Sequence, residues 1–132
     1  MSDVTKFPDL GSRLSQKIIG SAIEVHKTLG AGLLESVYEE CLAIQMKNDG
    51  LNFTRQEIIP IKYKGITLEN SFKADIIVEN EIIIELKAVE KILPIHQAQL
   101  LTYMKLSGIK LGLIMNFNTV LLKDGIKRMA LG

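Results

Sequence analysis

The sequence predicts a mixed α/β protein in which helices flank a central β-sheet. In the part of the chain before Gly50, apolar side chains recur every three or four positions, which is the spacing of amphipathic helices. After Gly50 the pattern changes to short runs of β-branched residues, which favour strands. A further helical stretch separates two of these runs, so it can serve as the crossover between parallel strands. This order of elements is typical of a sheet covered by helices.

Two helices are predicted before Gly50. The first begins near Leu14 and ends at Gly30 and Gly32, because glycine readily adopts the left-handed conformation that closes a helix. The second ends at Asn48-Asp49-Gly50 for the same reason. Residues 1–10 are expected to form a loose arm ahead of one domain over residues 11–132. The apolar faces consist of Leu14, Ile18, Ala22, Val25 and Leu29 in the first helix and Val37, Tyr38, Cys41, Leu42 and Gln45 in the second.

The first strands are predicted from alternation and from turn residues. Residues 59–63 alternate between apolar and other side chains, and this strand ends at a Lys64-Gly65 turn. Residues 72–78 and 81–89 are two runs rich in β-formers, and they are predicted to pair around the tight loop Glu79-Asn80-Glu81.

The C-terminal part is predicted to contain one helix and three strands. The helix opens at Pro94, since proline is favoured in a first helical turn, and it closes at Gly108. Residues 111–117 are nearly all apolar and indicate a buried strand. Residues 120–122 and 126–130 are predicted to form a final hairpin. The apolar positions of the helix are Ile95, Leu100, Leu101 and Met104.

The composition excludes several classes of protein. A hydrophobic fraction of 47% with 23% charged residues is globular rather than disordered. Cys41 is the only cysteine, and His26 and His96 lie far apart, which excludes an intramolecular disulfide and argues against a zinc site. The longest uncharged stretches, residues 92–104 and 111–122, are too short to cross a bilayer. Because the N-terminus also lacks a signal-peptide pattern, a cytoplasmic protein without membrane association is expected.

The charge is small overall and unevenly distributed. A net charge of +1 argues against a protein that wraps nucleic acid with a uniformly basic surface. Residues 1–86 carry 9 basic and 13 acidic side chains, whereas residues 87–132 carry 7 basic and 2 acidic ones. An acidic half therefore meets a basic half near residue 86, and any attraction of phosphate is expected to be weak and sensitive to salt.

The hairpin around residues 79–81 is predicted to bring charged side chains together. A three-residue loop places Asp75 directly opposite Glu85, on the same face of the two strands. Because side chains alternate along a strand, Lys87 lies on that face too. Two carboxylates beside an ammonium suit Mg²⁺, which prefers oxygen ligands and keeps several waters. The other face of the second strand is apolar and consists of Ile82, Ile84, Leu86 and Ala88.

The same residues also have a simpler interpretation. Glu85 and Lys87 can be a solvated pair on a strand face. Such a pair contributes about 0 to 1 kcal/mol and needs no function. The residues by themselves leave both interpretations open.

Three motifs together resemble a known family. Asp75 followed by Glu85-Leu86-Lys87 resembles the active-site pattern of the PD-(D/E)XK nuclease superfamily. Residues 32–38 resemble the GxxExxY signature of a small bacterial and archaeal family placed in that superfamily. Gln99 and Tyr103 resemble the QxxxY element of its RecB-type branch. The three motifs occur in the expected order on the expected elements.

The resemblance extends from about Leu14 to the end of the chain and includes Asn116-Phe117 at a strand end. Ala74 stands where the name of the superfamily has proline, at a position that varies. The resemblance implies a restriction-endonuclease-like core, with a mixed central β-sheet flanked by α-helices, and hydrolysis of phosphodiester bonds with a metal ion.

The resemblance also implies a role for each charged residue. Asp75 and Glu85 are expected to bind Mg²⁺ or Mn²⁺, with the carbonyl oxygen of Leu86 as a further ligand, and Lys87 is the expected catalytic lysine. Glu35 is expected to be a third carboxylate at the metal. Its place in the first turn of a helix has a second explanation, since acidic residues there complement the helix dipole.

Further residues are expected to complete the site. Gln99 would contact the phosphate, with Tyr103 behind it on the same helix face. The residues expected to surround the site are Tyr38, Glu39, His96 and Gln97.

The leading hypothesis is a metal-dependent nuclease that acts on DNA in preference to RNA. The alternative is a catalytically silent module of the same fold that binds nucleic acid or a protein partner. The predicted core takes up almost the whole sequence, so recognition of a target would depend on a protein partner or on a second copy in a homodimer.

Overall fold

The computed structural model describes residues 12–68 and 72–132, so the predicted arm at residues 1–10 lies outside the described residues. Within these ranges the two periodicities of the sequence become helices and strands. The elements are α1 (Ser12–Leu29), α2 (Glu35–Asn48), β1 (Phe53–Ile58), β2 (Ile61–Tyr63), β3 (Ile66–Leu68), β4 (Lys73–Val78), β5 (Ile82–Lys87), α3 (Pro94–Ser107), β6 (Leu111–Asn116), a 3-10 helix (Leu122–Gly125) and β7 (Ile126–Ala130).

Single residues set the helix ends, as predicted. Gly30 has a φ of 77°, and its N–H donates to the carbonyl of His26, which closes α1. Gly108 closes α3 in the same way, with its N–H donating to the carbonyl of Met104, and Pro94 begins this helix. Among the described residues, no helix has a stretch both long and apolar enough to cross a membrane.

The main sheet is mixed and has the strand order β1-β4-β5-β6-β7. β5 and β6 are parallel, and the other neighbouring pairs are antiparallel. The helix α3 connects the two parallel strands and is therefore the predicted crossover. This topology agrees with the restriction-endonuclease-like core that the sequence indicates. β2 and β3 form a separate two-stranded hairpin.

Helices cover both faces of the sheet. One core cluster joins α1 and α2 to Ile82, Ile84 and Leu86 of β5. A second cluster contains Ile83 of the same strand together with Leu100 and Met104 of α3. The predicted alternation along β5 is therefore confirmed, and the face that carries Glu85 is covered by α3 as well. Ile95 of α3 is exposed, although its spacing predicts an apolar face.

The strand β1 was not predicted. Among the described strands it lies at the edge of the main sheet, next to β4, and its residues 54–58 are exposed. An exposed edge strand has no buried face, so its sequence shows no alternation of apolar and polar side chains. The strand predicted over residues 59–63 begins at Ile61 instead.

The predicted final hairpin is wrong in its first arm. Val120 is 92% exposed, and the segment before β7 forms a 3-10 helix rather than a strand. The backbone of this loop is engaged elsewhere, because His26 Nε2 donates to the carbonyls of Phe117 at 3.1 Å and Thr119 at 2.9 Å. The second arm, β7, pairs with β6 instead.

Gly125, at the end of the 3-10 helix, lies against the backbone of β6. A Cβ atom at this position would overlap the carbonyl oxygen of Asn116. Gly20 of α1, in contrast, is exposed and has open space around it.

We expect Gly125→Ala to lower the free energy of unfolding by about 1–3 kcal/mol, because the methyl group meets backbone that cannot move independently. The matched change Gly20→Ala should raise it by about 0.5–1 kcal/mol, since alanine favours a helix interior. Chemical denaturation measures both values. Equal stability of the two variants would contradict the close approach at Gly125.

Candidate active site

The hairpin of β4 and β5 has the predicted register. Val78 pairs with Ile82, and Ile76 pairs with Ile84. The loop residues Glu79 and Asn80 both have positive φ angles, which produce the tight turn. Asp75 and Glu85 are the next two residues along the strands, so they lie opposite each other.

Beyond Ile76 and Ile84, carboxylate oxygens accept the hydrogen bonds of backbone N–H groups on the opposite strand. The N–H of Asp75 donates to Oε2 of Glu85 at 3.2 Å, and the N–H of Leu86 donates to Oδ2 of Asp75 at 2.9 Å. Each carboxylate therefore accepts a backbone N–H from the opposite strand. The two carboxylates lie together where β4 and β5 stop pairing directly.

Lys87 is the last residue of β5 and is half-buried. It pairs with Asn116 of β6, and its carbonyl accepts the N–H of Phe117 at 2.9 Å. The buried Asn116 side chain holds the following segment, because its amide donates to the carbonyl of Val89 and its oxygen accepts the N–H of Val89. The Asn116-Phe117 strand end therefore holds the backbone at the lysine and directly after it.

The electrostatics of Glu85 are unusual for a glutamate. Burial, and next the negative charge of Asp75, raise its pKa to about 8, while the charge of Lys87 lowers it in part. The ion pairs within 4 Å among the described residues involve Arg55 and neither of these carboxylates. Glu85 is 8% exposed, so its surroundings favour the protonated, neutral form of the carboxyl.

The pair of carboxylates fits a divalent cation. Mg²⁺ is commonly bound through one or two carboxylates, with waters and substrate phosphates completing its coordination. A cation between the two groups would also relieve the repulsion that raises the pKa of Glu85. Among residues 12–68 and 72–132, no three His, Cys, Asp or Glu side chains come together in a possible metal site.

Glu35, the expected third carboxylate, is exposed in the first turn of α2. Among the described residues it does not come together with Asp75 and Glu85 in a group of three that could hold a metal ion, and its role as a ligand stays a prediction. Its acidic charge at the helix N-terminus fits the second explanation, interaction with the helix dipole.

Glu39, one turn further along α2, is connected to the site. It is 9% exposed, and its Oε1 accepts a hydrogen bond from Nε2 of Gln56 at 2.8 Å. The same Nε2 donates to Oδ1 of Asp75 at 3.3 Å. Arg55 holds Glu39 from its other side through Nε at 3.1 Å. The acidic residue of α2 that is linked to Asp75 is therefore Glu39, because both accept hydrogen bonds from the amide of Gln56.

Tyr103 and Gln99 of α3 differ in their relation to the carboxylates. Burial, and next the charges of Glu85 and Asp75, raise the pKa of Tyr103, which places its hydroxyl within their electrostatic reach. Its ring stacks on Phe72 with centroids 4.1 Å apart. Gln99 lies one turn earlier and is exposed, and the structure records no contact between it and the carboxylates.

The remaining predicted neighbours have local roles. The Tyr38 hydroxyl donates to the carbonyl of Gly30 at 2.6 Å and accepts the N–H of Leu33 at 3.1 Å, so it fastens the loop between α1 and α2. His96 Nδ1 accepts the N–H of Leu93 at 2.9 Å and thereby caps α3. Gln97 is half-buried in the first turn of α3.

Sequence patterns did not reveal Gln56. It lies opposite Asp75 only because β1 pairs with β4, where Arg55 is paired with Ile76 and Glu57 with Ala74. Since β1 itself gave no signal, no local pattern could have indicated this neighbour.

Comparison with known proteins agrees with the geometry. The family model described as the PD-(D/E)XK nuclease superfamily matches residues 12–129. A search among curated proteins gives no match, and a search among solved structures gives none either.

The pKa of Glu85 predicts a stability that depends on pH. The carboxyl has an ordinary pKa of 4.5 in the unfolded chain and about 8 in the folded protein. Its stabilising contribution is complete below the lower value and is lost as the pH rises through the upper one. In metal-free buffer, the free energy of unfolding should therefore fall from about pH 5 to about pH 9, and Glu85→Gln should flatten this profile.

Denaturant titrations across this pH range measure the effect. Glu81→Gln is the matched control, because Glu81 is an exposed acidic residue of the same hairpin and should leave the profile unchanged. Parallel profiles for Glu85→Gln and the unchanged protein would contradict the raised pKa.

Proposed function

This chain belongs to the PD-(D/E)XK nuclease superfamily, and from this membership we propose that it hydrolyses phosphodiester bonds with Mg²⁺ or Mn²⁺, in DNA rather than RNA. The observation that carries the proposal is the pair of neighbouring carboxylates, Asp75 on β4 and Glu85 on β5. Lys87 lies two residues after Glu85 on β5. The preference for DNA comes from the resemblance to the superfamily and not from a contact in the structure.

Members of this superfamily generally use divalent metal ions. In this chain the carboxylates of Asp75 and Glu85 would hold the ion, and the carbonyl oxygen of Leu86 is a further candidate ligand. When bound, such an ion supplies positive charge to the phosphate and makes a water molecule a stronger nucleophile. The acidic pair supports this role, because it lacks a cationic partner within 4 Å in the described part of the chain.

The residues of the chain itself would orient the reactants. The ammonium of Lys87 can donate hydrogen bonds to a water and to a phosphate oxygen on which negative charge develops. The N–H of Leu86 holds the carboxylate of Asp75 in place. The exposed amide of Gln99 is free to contact a phosphate on the helix face that it shares with Tyr103.

The basic half of the sequence supports an anionic substrate. Its exposed lysines lie on α3 and in the segments after β5 and around β6 and β7, and they are Lys91, Lys105, Lys110, Lys123 and Lys127. Their number is modest, so we expect an affinity for nucleic acid that weakens with added salt.

A second candidate function is a silent module of the same fold that binds nucleic acid or a protein partner, alone or as a homodimer. The observation that favours it is the position of Glu35, which leaves two acidic side chains rather than three at the site within the described residues.

We expect the purified protein to cleave at least one nucleic acid in the presence of Mg²⁺ or Mn²⁺. Lys87→Ala should lower the rate by roughly 100-fold or more, because it removes a donor that acts on developing negative charge. Cleavage of single-stranded, duplex and branched DNA and of RNA is the measurement. Lys47→Ala, an exposed lysine at the end of α2, is the control that should cleave normally.

The absence of cleavage with all of these substrates would contradict the nuclease proposal and favour the silent module as the function. Normal cleavage by Lys87→Ala would contradict the role of this lysine.

Metal binding is expected to raise thermal stability. An ion at a concentration of about 100 times its dissociation constant adds roughly 2.7 kcal/mol to the folded state. Asp75→Asn and Glu85→Gln should each lose this effect of Mn²⁺, whereas Glu81→Gln should keep it. Melting curves with and without Mn²⁺ test this, and an equal shift in all four proteins would exclude the acidic pair as the site.

A further inference from the structure

We infer that Gln56 is a positioning residue of the proposed metal site, whose side-chain amide holds the Asp75 carboxylate ready for a divalent cation. The inference rests on the proposed function, since it assigns Gln56 a task at the same site. Three observations support it: the backbone of Gln56, the two bonds of its amide, and the residues that hold those bonds.

The backbone of Gln56 is strained within a strand. Its φ is 53°, in the left-handed region, which is unfavourable for residues other than glycine. The other non-glycine residues described with positive φ are Lys64, Glu79 and Asn80, and each lies in the turn of a hairpin. Gln56 has no turn to form, because β1 pairs with β4 on both sides of it. Strain of this kind, about 1–3 kcal/mol, persists where surrounding structure enforces it and is common at functional sites.

The strained backbone directs the amide between two carboxylates. Nε2 carries two hydrogens and donates to Oε1 of Glu39 at 2.8 Å and to Oδ1 of Asp75 at 3.3 Å. Because the N–H of Leu86 binds the other oxygen of Asp75, that carboxylate is held from β1 and from β5 together.

Glu39 in turn fixes the amide. Its second oxygen accepts a hydrogen bond from Nε of Arg55, and Nη2 of Arg55 donates to Glu40 at 3.0 Å. The guanidinium of Arg55 therefore binds carboxylates of α2. As a result, Asp75 is oriented by a neutral donor and not by a cation.

The neutral charge of the amide matters for a metal site. A lysine or arginine in this position would pair with Asp75 and offset the negative charge that attracts a divalent ion. A carboxylate would repel Asp75. An amide orients the carboxylate and leaves its charge available, as residues behind metal ligands commonly do.

The test separates positioning from a purely structural role. Gln56→Gly removes the amide and also relieves the backbone strain, because glycine tolerates positive φ. Gln56→Asn keeps a residue type that is tolerated there, but its amide is one methylene too short to span both carboxylates. Gln45→Ala is the matched control, since Gln45 also donates its amide to a carboxylate, that of Asp49, away from the site.

Two quantities are measured for each full-length protein: the dissociation constant for Mn²⁺ by calorimetric titration, and the free energy of unfolding in metal-free buffer. We expect both Gln56 variants to bind Mn²⁺ roughly 10- to 100-fold more weakly than the unchanged protein, while Gln45→Ala binds it normally. Metal-free stability of Gln56→Gly should be no lower than that of Gln45→Ala.

Each other outcome has a definite meaning. If the unchanged protein binds Mn²⁺ and both Gln56 variants bind it equally well, the inference is overturned and the proposed metal site stands. If the unchanged protein does not bind Mn²⁺, the proposed function fails and the inference with it. If Gln56→Gly does not fold, normal Mn²⁺ binding by Gln56→Asn overturns the inference, and weakened binding supports it.

Discussion

Where two central strands part, their backbone N–H groups need new partners, and the whole site depends on how this chain provides them. Beyond Ile76 and Ile84 the N–H groups of Asp75 and Leu86 bind carboxylate oxygens instead of carbonyls. The bonds that complete the sheet therefore bring two acidic groups together, of which Glu85 is buried and Asp75 is half-buried. The acidic site is a direct result of the way in which the sheet ends.

Stability and a metal site make opposite demands on these charges. A salt bridge to Asp75 or Glu85 would favour the folded protein, and Arg55 is nearby, but its guanidinium binds Glu39 and Glu40 of α2. Hydrogen bonds from neutral groups orient Asp75, and its negative charge still causes repulsion of the ionised form of Glu85. An arrangement that keeps such a repulsion gives up stability at the site, as is common where activity requires it.

Local rules predicted the parts of the protein that depend on neighbouring residues. An odd loop and an even separation fixed Asp75 opposite Glu85, and proline and glycine fixed the ends of α3. The edge strand β1 has no buried face, so neither it nor Gln56 opposite Asp75 could be expected. Glu35 and Glu39 share one helix face, and periodicity could not distinguish which of them comes close to the site. That choice depends on how far α2 is displaced along the sheet, which is a property of packing and not of local sequence.

The connectivity of the chain also implies an order of folding. Asp75 and Glu85 are 10 residues apart, whereas the bond between Val89 and Asn116 spans 27 residues and requires the crossover helix α3. Hairpins close faster than long crossovers, so we expect the acidic pair to meet while it is still in water. The carboxyl group of Glu85 then loses its water only when α3 later packs on this face of the sheet. The barrier to folding should therefore contain an electrostatic part that a hairpin studied by itself would not show.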